Sequence, residues 1–122
     1  MERVSVPRKA YAAVTETDFQ EQIFQLFHLH GWKVAHFRAA KVGNKWMTPV
    51  AADGKGWPDL FCVHPKTGDK LAVELKAEYK HPAPAQIEWG VWLELCGVEW
   101  AVWRPSMIDQ IIERVRKSRH EM

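Results

Sequence analysis

The chain has 122 residues, of which 47% are hydrophobic and 26% charged, with a formal net charge of +2. That composition fits one soluble globular domain with a full core and excludes a disordered chain, a coiled coil and, for want of any apolar run near the roughly 20 residues that cross a bilayer, a membrane span. The start of the chain, Met1 to Pro7, lacks the apolar core of a signal peptide, so the expectation is a cytoplasmic protein.

Residues 1–14 mix Arg, Lys and Pro without periodicity and read as a flexible basic arm. Thr15 then opens a helix by capping the amide of Asp18. Phe19, Ile23, Leu26, Phe27 and His30 follow at spacings of three and four, and Gly31 closes the helix. Lys33–Arg38 reads as a strand. Residues 39–57 carry Gly43, Asn44, Pro49, Gly54 and Gly56 and read as a long loop or hairpin. Asp59–Val63 is a short apolar strand, His64–Asp69 a turn, and Lys70–Lys76 a further strand. Pro82 and Pro84 lead into a helix over Ala85–Cys96 with the apolar stripe Ala85, Trp89, Trp92, Leu93 and Cys96, ended by Gly97. Glu99–Trp103 is a last strand. Ser106 caps a last helix over Met107–Lys117 whose core face is Ile108, Ile111, Ile112 and Val115. Residues 15–118 thus form one α/β domain in the order α-β-β-β-α-β-α, a small mixed sheet with helices on both faces, and residues 119–122 are a tail.

Cys62 and Cys96 sit among apolar neighbours and read as buried, reduced thiols. Seven tryptophans are many for this length, and a second subunit or a nucleic acid could cover those that the core does not. Between Lys33 and Lys55 five basic residues stand against the single acid Asp53, and Arg114, Arg116, Lys117 and Arg119 crowd the C-terminal end. Two such clusters permit a polyanionic partner without demanding one.

Chemistry concentrates on Pro58-Asp59 and Glu74-Leu75-Lys76. Side chains alternate along a strand, so Glu74 and Lys76 share a face, while Leu71, Val73 and Leu75 share the other. Pairing about the His64–Asp69 turn sets Asp59 opposite Glu74. Two close carboxylates repel unless a cation lies between them, and hard oxygen ligands suit Mg²⁺ or Mn²⁺. A cross-strand salt bridge to Lys76 on a solvated face is the competing account.

These residues resemble the PD-(D/E)xK nuclease signature, and more narrowly the VRR-NUC domain. The matching segments run from Thr15-Glu16 to Gln20, from Gly31-Trp32 to Arg38, through Gly56-Trp57-Pro58-Asp59-Leu60, Ala72-Val73-Glu74-Leu75-Lys76 and Gln86-Ile87-Glu88-Trp89, and from Gly97-Val98 to Pro105. The resemblance implies a restriction-endonuclease-like core over residues 15–118 and a Mg²⁺-dependent DNA endonuclease, with Mn²⁺ as a substitute. It places Asp59, Glu74 and the Leu75 backbone carbonyl on the metal, together with Glu16, and gives Lys76 the attacking water. Glu16 suits that role better than Glu21, which lies about 200° round the helix from Phe19. Gln86 matches a glutamine that follows the lysine strand; a phosphate, the water or a backbone group could be its partner. Gln20 shares the side of Glu16. His36, Arg38, Lys41, Lys45, Lys55 and Lys80 are candidate DNA contacts, against plain surface or sheet positions for each. Stand-alone domains of this kind often act as homodimers on branched DNA such as four-way (Holliday) junctions, in repair, and are often phage-encoded, which would place the protein in a bacterial host. A nickase, a restriction-type enzyme and a non-catalytic nucleic-acid-binding module are the alternatives.

Overall fold

A computed structural model describes residues 6–37, 40–47 and 50–118. Thr15 caps the first helix as its sequence promises: its Oγ1 accepts from the Asp18 N–H at 3.1 Å. Helix α1 therefore spans Glu16–Leu29, and Gly31, at φ +85°, turns the chain out of it. Phe19, Ile23 and Phe27, one turn apart, form its buried edge.

Strands β1 (Lys33–His36), β4 (Leu60–Val63), β5 (Lys70–Leu75) and β6 (Glu99–Trp103) form a mixed sheet in the order β1-β4-β5-β6. Only the β5–β6 pair is parallel, and α2 (Pro84–Leu95) provides the crossover that parallel pairing requires. The 39–57 segment contains a separate antiparallel hairpin of β2 (Ala40–Val42) and β3 (Lys45–Met47). The sequence expectation of a small mixed sheet flanked by helices is met.

Alternation along the strands builds two layers. Leu60, Cys62, Leu71, Val73, Leu75 and Trp103 face α1 and α3 (Ile108–Arg116), where they meet Phe19, Ile23, Phe27, Ile111 and Val115 in one continuous core. Trp32 closes that core and donates its indole N–H to the Val115 carbonyl at 3.1 Å. The opposite face, carrying Glu74 and Trp100, lies under α2. There Gly90 permits a very close approach, since a Cβ at that position would come 2.3 Å from the Trp100 ring. No helix among the described residues is long and apolar enough to cross a membrane.

Four local expectations are corrected. Arg8–Ala13 is a 3-10 helix rather than a flexible arm; Arg8 pairs with the buried Glu78 carboxylate and its guanidinium lies 4.3 Å from the Tyr79 ring centroid. Burial raises the Glu78 pKa, but hydrogen bonds from Arg8 and Ser106 outweigh it and hold the group below the usual carboxylate range. Ser106 is therefore occupied: its Oγ donates to Glu78 at 2.8 Å, and the last helix starts from Met107 without a side-chain cap. The α2 stripe is rotated: Gly90 and Leu93 are buried while Trp92 is 47% exposed and Cys96 is exposed. The helix is apolar nearly all round, so periodicity cannot choose its inner face, and the Gly90–Trp100 contact does. Ile112 lies outside the core face of α3, at 39% exposure. Cys62 is buried as expected, and burial pushes its thiol up to about 12, whereas Cys96, at the end of the rotated stripe, is exposed and not the buried thiol expected.

Candidate active site

The β4–β5 register pairs Leu60 with Val73, so one step further out Asp59 stands beside Glu74. Asp59 is held by both neighbouring strands. Its Oδ2 accepts from the Leu75 N–H at 2.9 Å, and its carbonyl accepts from the Phe37 N–H at 2.8 Å. Glu74 is 0% exposed. Its Oε2 accepts from Gln86 Nε2 at 2.9 Å, while Gln86 Oε1 accepts from the Ala83 N–H at 2.8 Å. Gln86 thus ties the first turn of α2 to the buried carboxyl, filling at once the backbone partnership and a side-chain one. Glu74 Oε1 is buried without a hydrogen-bond donor among the described residues.

The electrostatics follow from this packing. Burial and then the Asp59 charge push the Glu74 carboxyl up to about 9, against a smaller pull from Lys76. A carboxyl buried beside a second, charged carboxyl is favoured in its neutral form, so Glu74 is the one of the two that keeps a proton. Glu16, in the first turn of α1, is also raised, by partial burial and then by Asp59, with Lys76 again opposing. Both acids therefore feel the same aspartate and the same lysine. Lys76 is anchored through its N–H, which donates to the Trp103 carbonyl at 2.9 Å.

A cleft of about 440 Å³ opens at this end of the sheet, lined by Glu16, Thr17, Gln20, His36, Phe37, Asp59 and Leu75. Of the residues expected at the site, the structure brings Glu16, Gln20, His36, Asp59 and Leu75 to this one cleft, sets Glu74 beside Asp59, ties Gln86 to Glu74, and leaves Lys76 acting on Glu16 and Glu74 through its charge. Glu21 is exposed, as its phase requires. His36 meets the Gln20 amide and packs edge-on against Phe24 at 5.3 Å, so it is a sheet histidine and a cleft wall together. Lys45, Lys55 and Lys80 are exposed and line no part of the cleft. Arg38 and the Lys41 side chain lie outside what is described. Thr17 and Phe37 were not anticipated. Phe37 reaches the site because β1 pairs with β4, a non-local pairing for which the sequence carries no marker.

Among the described residues no three His, Cys, Asp or Glu side chains lie together as an ion-binding group. The groups that remain still fit a small hard cation: two adjacent carboxyl groups, one with an oxygen that has no hydrogen-bond donor among the described residues, next to Leu75 in the cleft lining. Mg²⁺ commonly takes one or two carboxylates and keeps several waters.

The fold has a counterpart of known structure. A solved VRR_NUC domain superposes with a TM-score of 0.57 at 24% identity, covering 81% of this chain and 95% of that one. The chain has a VRR-NUC fold. No family model matches the sequence, and no curated protein does. The fold expected from Pro58-Asp59 and Glu74-Leu75-Lys76 is thereby met.

Proposed function

We propose that the chain is a metal-dependent DNA endonuclease. The observation that carries this reading is the buried Glu74 carboxyl, with an oxygen that has no donor among the described residues, set within the field of Lys76 and beside Asp59, which lines a polar cleft. The VRR-NUC fold supports it. Asp59, Glu74 and the Leu75 carbonyl, with Glu16 at the cleft wall, would hold Mg²⁺ or Mn²⁺. Such an ion supplies Lewis-acid polarisation of the phosphodiester and a bound water of lowered pKa.

The chain's own residues do the rest. Gln86 fixes the Glu74 carboxyl in one orientation, so it does not have to be ordered during the reaction. Lys76 offers a donor for the attacking water and a positive charge for the developing phosphorane. Gln20 and His36, in contact with each other, line the same cleft as Asp59. Arg38, Lys41, Lys45, Lys55 and Lys80 would serve as phosphate contacts, which position the substrate without reading its sequence. Within this reading the substrate is branched DNA, the setting is repair in the cytoplasm of a bacterial host, and the active form is a homodimer. An exposed apolar row on α2, Ile87, Val91, Trp92 and Leu95, supports the last of these. A nickase or restriction-type enzyme would use the same chemistry. A non-catalytic DNA-binding module is the reading favoured by the lack of a three-residue ligand group among the described residues.

Cleavage of labelled four-way, flap and linear DNA with Mg²⁺, Mn²⁺ or EDTA tests the proposal, beside Lys76→Ala and Asp59→Asn. Metal-dependent cutting that both substitutions abolish is expected. If no DNA is cut while the parent binds DNA and folds like its variants, the binding-module reading replaces it.

A further inference from the structure

A second cavity, of about 390 Å³, adjoins the catalytic cleft. Its volume falls within the range of about 300–1,000 Å³ typical of small-ligand sites. Three aromatic side chains wall it: Phe37, Trp57 and Trp89. Phe37 also lines the catalytic cleft, so the two spaces share one wall. That wall is fixed to the reaction centre, because the Phe37 N–H donates to the Asp59 carbonyl at 2.8 Å. Trp57 comes two residues before Asp59.

The cavity is built rather than incidental. Trp57 stands edge-on to Phe37 at 5.7 Å and to Trp89 at 5.1 Å, and stacks on Phe61 at 6.0 Å. The loop that forms the other side is pinned to α2, where Trp89 Nε1 donates to the Asp53 carbonyl at 3.0 Å. Gly56, at φ +89°, passes so close to α2 that a Cβ there would lie 2.5 Å from the Ala85 backbone. These contacts keep the walls apart. The buried Trp57 indole N–H has no acceptor among the described residues, leaving one unsatisfied donor on a wall residue.

A nucleic acid bound at Asp59 and Glu74 offers only one flat, largely apolar part, the base next to the reacting phosphate. A paired base cannot leave its stack without an energetic cost, whereas an unpaired one is already free to turn outward. We propose that this cavity takes the base of one unpaired nucleotide adjoining the scissile phosphate, packed against Phe37, Trp57 and Trp89. The inference rests on the nuclease reading and names its substrate class: DNA with an unpaired nucleotide at the cut. Three rings and the loop of residues 50–54 make up the walls, and it is the rings that a base would pack against, so the cavity tolerates any base. Stacking is indifferent to base identity where hydrogen-bond readout is not.

The test is binding, in EDTA, of the full chain to a hairpin duplex carrying a single unpaired thymidine. The same DNA with that nucleotide made abasic is the control, and it leaves the protein unchanged. The expected loss on removing the base is about 5- to 150-fold in affinity, the range that one stacked base contributes. Ala51→Leu, at an exposed position on the cavity rim, should bring binding of the intact DNA down to the abasic level and leave abasic binding unchanged. Equal affinity for intact and abasic DNA, or an unaltered preference in Ala51→Leu, overturns the inference while DNA binding and cleavage stand. Absence of any DNA binding overturns it together with the nuclease reading.

Discussion

Glu74→Gln removes one ionisable proton from a side chain that is 0% exposed, with almost no change of shape. The glutamine oxygen can still accept from Gln86, and its amide can donate to Asp59. The folded carboxyl titrates at about 9 against an ordinary value of 4.5. Below pH 4.5 the carboxyl is protonated in both the folded and unfolded chains, and burial carries no ionisation penalty. Between pH 4.5 and about 9 the unfolded carboxyl is charged and the folded one is not, so stability falls as pH rises, by ~1.4 kcal/mol per pH unit. Above about 9 the loss levels off. At pH 7 the accumulated cost is about 3 kcal/mol, a large share of a typical 5–15 kcal/mol total. Urea unfolding in EDTA at several pH values measures it directly. Glu74→Gln should be the more stable protein at pH 7 by about that amount, with a gap that widens toward pH 9 and closes near pH 4.5, and it should cut no DNA. A variant that is less stable, and that tracks the parent in parallel from pH 5 to 9, would refute the reasoning. Glu74 would then be ionised in the folded protein and paired with Lys76.

Three further outcomes follow from the same packing. On the proposed function Mg²⁺ would have to displace the Glu74 proton, so its affinity by calorimetry should rise with pH by up to about tenfold per unit below about 9, with proton release that disappears in Glu74→Gln. Gly90→Ala drives a methyl to 2.3 Å from the Trp100 ring; a loss of about 1–3 kcal/mol in denaturant unfolding is expected, with α2 displaced from the sheet. Arg114 grips Asp69 with two nitrogens, at 2.9 and 3.0 Å, and Glu99 with a third at 3.0 Å. Arg114→Lys cannot reproduce that fork and should lower stability by about 2 kcal/mol, read as a fall in thermal midpoint.

Much of this protein is legible in one dimension because the forces concerned are local. The Thr15 cap, the one-turn spacing of Phe19, Ile23 and Phe27, and Gly31 at the helix end each act within a few residues. The Asp59–Glu74 pairing is also readable, since the six-residue His64–Asp69 turn sets the register of the strands on either side. Glu16 and Gln20 share a side of α1 by helix geometry alone, and the structure turns that side to the cleft.

What lay beyond the sequence involves choices between distant surfaces. The residues of α2 are apolar in nearly every direction, and only the fit of Gly90 against Trp100 determines which of them face water. Arg8 looks like part of a loose basic arm until a fold exists in which Glu78 is buried and needs a cation. Ser106 gives up its capping role for the same carboxylate. At the site, the residue types in Asp59, Glu74, Lys76 and Gln86 declare a possible chemistry, but no sequence pattern says that Glu74 is sealed from water beneath α2 or that Phe37 and Trp57 wall a cavity beside it. Burial sets the Glu74 proton affinity, and burial is a property of the assembled layers: the dielectric around a side chain depends on everything that packs against it, whatever its distance along the chain.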